Sequence, residues 1–201
     1  VESKGRIAAI LGAGVALGVA AWALVRHRNR KPILTPPGRV GLIGDSLAVG
    51  LTKPLTELAA RDGFSLYSDA RGGTRIAQWS SIIANAPIDN EGLQLVIVVL
   101  GTNDAAMEDP TSERDQLDRL VRRLAAATRV LWVEPPNAPL PHVNEVRAMI
   151  RASQAVAEAR VIIMDSSTLQ VPKASDGIHM TASGYKQWAD LIWKFARSYR
   201  E

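Results

Sequence analysis

Leu93-Gln94-Leu95-Val96-Ile97-Val98-Val99-Leu100 is an almost unbroken apolar run, and Gly101-Thr102-Asn103-Asp104 follows it at once. Eight residues rich in Val and Ile suit a strand. Continuous rather than alternating hydrophobicity suits a strand covered on both faces, as the central strands of parallel sheets are. The polar tetrapeptide then falls at the carboxyl end of that strand.

The pattern repeats outward in both directions. Arg39 to Gly44 reads as a first strand, and Leu47 to Arg61 as a helix with Leu47, Leu51, Leu55 and Leu58 on one face. Pro54 inside it predicts a kink or a late start. Phe64 to Asp69 reads as a second strand and Thr74 to Asn85 as a helix ended by Pro87. Beyond the central strand, Thr111 or Ser112 is expected to cap a helix running to Ala127. Arg129 to Val133 is a fourth strand, Val143 to Glu158 a helix, Arg160 to Met164 a fifth strand, and Thr181 to Tyr199 a last helix. Strand and helix alternate throughout, which predicts an α/β domain with a parallel sheet between two helical layers.

In such a sheet, ligands sit beyond the carboxyl ends of the strands. Gly44-Asp45-Ser46-Leu47 follows strand one, Arg71-Gly72-Gly73-Thr74 strand two, Gly101-Thr102-Asn103-Asp104 strand three, and Asp176-Gly177-Ile178-His179 lies past strand five. One rim should therefore gather a serine, a glycine loop, an asparagine and an Asp/His pair. These are the parts of an acyl-transfer site. A serine hydroxyl is a weak nucleophile and needs a base, here His179. Asp176, three residues upstream, can orient the imidazole and stabilise its charged form. The backbone N–H groups of Ser46 and Gly72 and the side-chain amide of Asn103 can bind the oxyanion, each such donor contributing about 3–4 kcal/mol to the transition state. Ala48 stands where the last glycine of a G-x-S-x-G elbow belongs, so the site is not of that kind.

Together these four blocks, in this order over residues 39–201, resemble those of the SGNH hydrolases, also called GDSL esterases/lipases. The resemblance implies a flavodoxin-like three-layer α/β/α fold with strand order 2-1-3-4-5. It implies Ser46 as nucleophile, Asp176 and His179 as its partners, and Ser46, Gly72 and Asn103 as the oxyanion hole. It also implies no metal and no organic cofactor. Gly-small-Thr in the second block favours Gly72 as the donor, with Gly73 the alternative. No long insertion interrupts the blocks, which favours small acyl groups such as acetyl on carbohydrate or another polar carrier. A thioesterase or acyltransferase would use the same residues, and a non-catalytic binding module would keep the fold without the chemistry.

Composition narrows the rest. The 201 residues include no cysteine and three histidines, His27, His142 and His179, which excludes thiolate or histidine-rich metal sites. The net charge of +4 suggests nucleic acid only until it is divided. Residues 1–39 carry net +6 and residues 40–201 net −2, so the body is no basic binder. Ile7 to Val25 is a run of 19 uncharged residues, roughly 28 Å as a helix and about the thickness of a bilayer core. Gly14 and Gly18 form a small-xxx-small pair within it, and Arg26, Arg28, Arg30 and Lys31 follow. Residues 1–31 are thus expected to be a membrane anchor with a basic flank, residues 32–38 a Pro-rich linker and residues 39–201 the hydrolase domain. Competing readings of the apolar run are a signal peptide cut at Ala21-Trp22-Ala23, a core helix, or a dinucleotide loop around Gly12 to Gly18. Four basic residues after the run against two before it favour a cytoplasmic body, and the membrane face stays open.

Several other residues invite a role. Arg71 and Arg75 flank the glycine loop and are expected to be solvated. Glu134 ends strand four on the rim, and His142 follows prolines with no evident acidic partner. Trp79, Trp132, Trp188 and Trp193 are expected in the core. Asp104 is expected to make a turn or a cap.

Overall fold

The computed structural model describes residues 32–85, 92–157 and 160–199. Five strands, β1 (Gly38–Gly44), β2 (Phe64–Ala70), β3 (Leu95–Val99), β4 (Arg129–Val133) and β5 (Val161–Met164), form one parallel sheet in the order β2-β1-β3-β4-β5. Five helices cover it: α1 (Ser46–Arg61), α2 (Ile76–Asn85), α3 (Arg114–Ala127), α4 (Val143–Ala157) and α5 (Ala182–Ser198). This is the expected three-layer α/β/α arrangement.

The period of two along a strand explains the layering. Leu95, Ile97 and Val99 of β3 join Leu47, Leu51 and Leu55 of α1 and Trp188, Ile192 and Trp193 of α5 in one core. Val96 and Val98 point the other way, to Ile76 and Trp79 of α2, Leu120 and Leu124 of α3, and Met149 and Ile150 of α4. All four expected tryptophans are at most 2% exposed.

Local chemistry moves several helix ends from their expected places. α1 begins at Ser46 and runs through Pro54, which is itself buried, so neither the late start nor a break occurs. Its apolar face is fully packed, and burial of such a face outweighs propensity. α2 starts at Ile76 rather than Thr74, because the Thr74 N–H and hydroxyl both turn back to the Arg71 carbonyl, at 3.3 and 2.7 Å. Neither Thr111 nor Ser112 caps α3. A 3-10 turn over Pro110–Glu113 precedes it, opened by Asp109, whose Oδ1 accepts from the Thr111 N–H at 2.9 Å. Pro110 fits that first turn because it has no N–H to satisfy. Thr181 does cap α5, accepting from the Gly184 N–H at 3.1 Å.

The expected anchor (1–31), with its apolar run 7–25, lies outside the described residues, as do Pro87 and Glu158. Among the described residues no helix is long and apolar enough to cross a membrane. The segment read as a linker is attached to the body. Ile33 and Leu34 are buried in the α1/α5 core, and Thr35 exchanges two hydrogen bonds with the Gln94 side chain, at 2.9 and 3.0 Å.

Candidate active site

β1 ends at Gly44, and that residue sets where Ser46 stands. Its φ is +151°, and a Cβ there would lie 1.9 Å from the Val99 carbonyl oxygen of neighbouring β3. Only glycine allows the two strand ends to close this tightly. The Asp45 N–H then donates to that same carbonyl at 3.1 Å. Asp45 caps α1, its Oδ1 accepting from the Leu47 N–H at 2.9 Å. Ser46 is thereby the first residue of α1, half-buried at the sheet's carboxyl rim.

His179 reaches it from the far end of the chain. Its Nε2 lies 2.8 Å from the Ser46 hydroxyl oxygen, and its Nδ1 lies 2.7 Å from Oδ2 of Asp176. The other oxygen of Asp176 accepts from the backbone N–H groups of Ile178 and His179, at 2.9 and 3.0 Å. The His179 ring first, and these two N–H groups next, hold the Asp176 carboxyl down to about 2. An acceptor that stays ionised fixes the proton on Nδ1 and leaves Nε2 free to take one from the serine.

The Asp176–His179 turn is a small hairpin. Lys173 pairs antiparallel with Met180, and the Ala174 N–H donates to the His179 carbonyl at 2.9 Å. Lys173 Nζ donates to the Gly177 carbonyl at 3.1 Å and also to the Asn137 carbonyl, which ties the turn to the proline-rich loop after β4. Sequence reading passed over Lys173, since a lone lysine carries no spacing signal.

The glycine loop resolves the ambiguity between its two members. A methyl group on Gly72 would come 3.9 Å from the Ser46 Cβ, whereas one on Gly73 would meet nothing within 4 Å. Gly72 therefore faces the serine, while Gly73, at φ +75°, makes the turn. Asn103 sits beyond β3 beside the same loop, its Nδ2 donating to the Thr74 carbonyl at 2.9 Å. A primary amide has two N–H bonds, so this contact leaves one free to serve the hole.

The remaining candidates have structural partners. Asp104 is fully buried and its Oδ1 accepts from the Ile76 N–H at 3.1 Å, so it caps α2 from another loop. Burial pushes its carboxyl up to about 6, and burial pushes Asp45 up to about 7. Arg71 forms a two-point pair with Asp69, at 2.8 and 2.9 Å, and stacks over Trp79. Arg75 Nη1 contacts Met107 Sδ at 3.4 Å. Glu134 has no exposure and is held by Arg151 at 2.6 and 2.7 Å, which removes it from the rim surface. His142 does have an acidic neighbour, Glu145, at 3.0 Å, because α4 begins just after it and brings i+3 alongside. Among the described residues no three His, Cys, Asp or Glu side chains stand together as a metal cage.

This geometry has counterparts elsewhere. The model of the GDSL-like lipase/acylhydrolase family matches residues 42–187. The chain belongs to that family. As a GDSL-like acylhydrolase it is a hydrolase acting on ester bonds. Solved structures share its fold. An α/β hydrolase enzyme from the metagenome of Lake Arreo, Spain, superposes with a TM-score of 0.66 at 15% identity, over 85% of this chain and 100% of the other. An acetyl xylan esterase from Geobacillus stearothermophilus gives 0.61 at 14% identity, over 82% and 96%. A psychrotrophic esterase from Pseudoalteromonas sp., captured inhibited by monoethylphosphonate, gives 0.61 at 17% identity, over 78% and 95%. A comparison with curated proteins returns no match.

Proposed function

We propose that this acylhydrolase is a serine esterase that removes short acyl groups, such as acetyl, from carbohydrate or another polar carrier. The observation that carries the reading is the unbroken contact chain from the Ser46 hydroxyl through His179 to Asp176. The Ser46 oxygen attacks the ester carbonyl carbon as its proton passes to Nε2 of His179. The oxyanion is met by the Ser46 and Gly72 N–H groups and the Asn103 amide. Collapse breaks the carbon–oxygen bond to the carrier, whose oxygen takes the proton from His179. Water then gives a proton to the same nitrogen, attacks the acyl-enzyme and releases the acid, restoring the Ser46 hydroxyl.

The preference for small acyl groups is supported by the openness of the site. The Asp176 and His179 side chains are 46% and 40% exposed, so no deep apolar tunnel encloses them. The acetyl xylan esterase sharing this fold fits the same substrate class. Residues 7–25 are read as a membrane helix tethering the domain, with the basic residues at 26–31 favouring a cytoplasmic body.

A fluorophosphonate probe tests the core of the proposal. The full chain should be labelled, and Ser46→Ala should not be. A folded, unlabelled wild-type protein removes the nucleophile. Among p-nitrophenyl esters, acetate should be turned over faster than octanoate, and the reverse order removes the short-acyl reading. Retention of the full chain in membranes after alkaline carbonate extraction tests the tether, and release into the supernatant rejects it.

A further inference from the structure

The Asn103 carboxamide has a single rotatable bond that decides whether its second N–H points into the oxyanion hole or away. One feature of the fold fixes that rotation. The Thr74 carbonyl accepts from Asn103 Nδ2 at 2.9 Å. Thr74 is held in turn by its own hydroxyl, which donates to the Arg71 carbonyl at 2.7 Å and accepts from the indole Nε1–H of Trp79 at 2.9 Å. Trp79 cannot shift, being fully buried in the α2/α3/α4 core. A hydroxyl that both donates and accepts has its proton direction set, which stiffens the residue carrying it.

We infer that Thr74 is a positioning residue, set by Trp79, that aims the Asn103 amide at the developing oxyanion. This rests on the esterase reading for its consequence but on the loop geometry for its substance. Catalytic donors act only where they are pre-aimed, since reorientation during the reaction forfeits their advantage. The buried indole thus transmits the rigidity of the core to an exposed loop through one side-chain hydroxyl.

Two measurements on the full chain test it. In nitrogen-15 spectra of the resting protein, Thr74→Val should speed solvent exchange of the Asn103 side-chain amide protons and the Trp79 indole proton, and Thr74→Ser should leave both as in wild type. In p-nitrophenyl acetate hydrolysis, Thr74→Val should lower kcat roughly ten- to hundredfold with KM within about twofold, as small misplacement of a catalytic group does. Thr74→Ser should recover most of the rate, and Trp79→Phe should reproduce part of the loss. In an Asn103→Ala background, Thr74→Val should cost nothing further, because its effect passes through that amide. Equal losses in both backgrounds, or an effect confined to KM, overturn the inference. If wild-type protein hydrolyses no ester, the esterase reading fails, and the exchange of the Asn103 protons alone decides whether Thr74 holds the amide.

Discussion

The Asp176 carboxylate and the His179 ring are joined twice within one turn, at 2.7 Å through Nδ1 and at 3.0 Å through the His179 backbone N–H. The second bond makes the first one rigid. The carboxylate cannot rotate away from the imidazole without breaking a bond to the backbone of the same residue. Because these donors keep the Asp176 carboxyl near 2, it stays ionised throughout the range where an esterase is assayed.

Activity should accordingly show one acid limb of unit slope, belonging to the imidazole, with no second limb above about pH 4. Asp176→Asn should lower kcat by roughly 10²- to 10⁴-fold while leaving the thermal midpoint little changed. The pH–rate profile of kcat/KM checks the first point. A second acid limb at pH 4–5 would place a second titrating group in the mechanism.

Asn103→Ala should lower kcat about 10²- to 10³-fold and leave KM nearly unchanged, as loss of a donor used only in the transition state does. Steady-state kinetics on p-nitrophenyl acetate decide it. A rise in KM at constant kcat would make Asn103 a ground-state contact instead.

Two aspartates should tilt the stability curve in opposite directions. Asp45 is pushed up to about 7 by burial, whereas an unfolded aspartate releases its proton near 3.9. Between those values the folded protein keeps a proton the unfolded chain has lost, so stability falls as pH rises through the window. Asp62, which caps the end of α1, accepts from Arg61 and the Trp193 indole at 2.9 Å each and also pairs with Arg197. Arg61 first and Trp193 next bring it down to about 2. Its contribution is present above pH 4 and is lost as pH falls toward 2. Urea denaturation from pH 3 to 8 should show Asp45→Asn flattening the fall between pH 4 and 7. Asp62→Asn should be weaker than wild type at pH 7, with the difference closing on acidification. Parallel curves for either variant would refute that assignment.

Gly44→Ala should cost about 4 kcal/mol or more, or prevent folding, because it combines a forbidden backbone angle with a collision against the Val99 carbonyl. Gly73→Ala carries only the angle, with open space around it, and should cost about 1–2 kcal/mol. Comparable losses for both would mean that the β1–β3 closure has more slack than the structure shows.

The layers and the site were readable in the sequence for a simple reason. β3 is apolar at every position, and Asn103 and Asp104 stand at its end, so the strand and its polar exit are both local signals. What escaped depended on contacts between distant segments. Asp104 reads as a turn residue until Ile76 is seen to donate to it across 28 positions. Glu134 looks like a rim carboxylate until Arg151, 17 residues on, neutralises it. The start of α2 shifts because Thr74 bonds back to Arg71, a choice that helix periodicity does not register. Lys173 is silent in sequence because its two acceptors are backbone carbonyls, which every residue has.

The attachment of Ile33 and Leu34 to the core fixes the outlook of the molecule. The backbone enters at the amino end of β1, and Ser46 lies at the opposite end, seven strand residues away, roughly 20 Å across the sheet. Whatever the first thirty residues hold on to is therefore behind the protein as seen from its mouth. Polymers arriving from open solution meet the catalytic rim head-on, and an enzyme immobilised through its leading end would keep its full working face free.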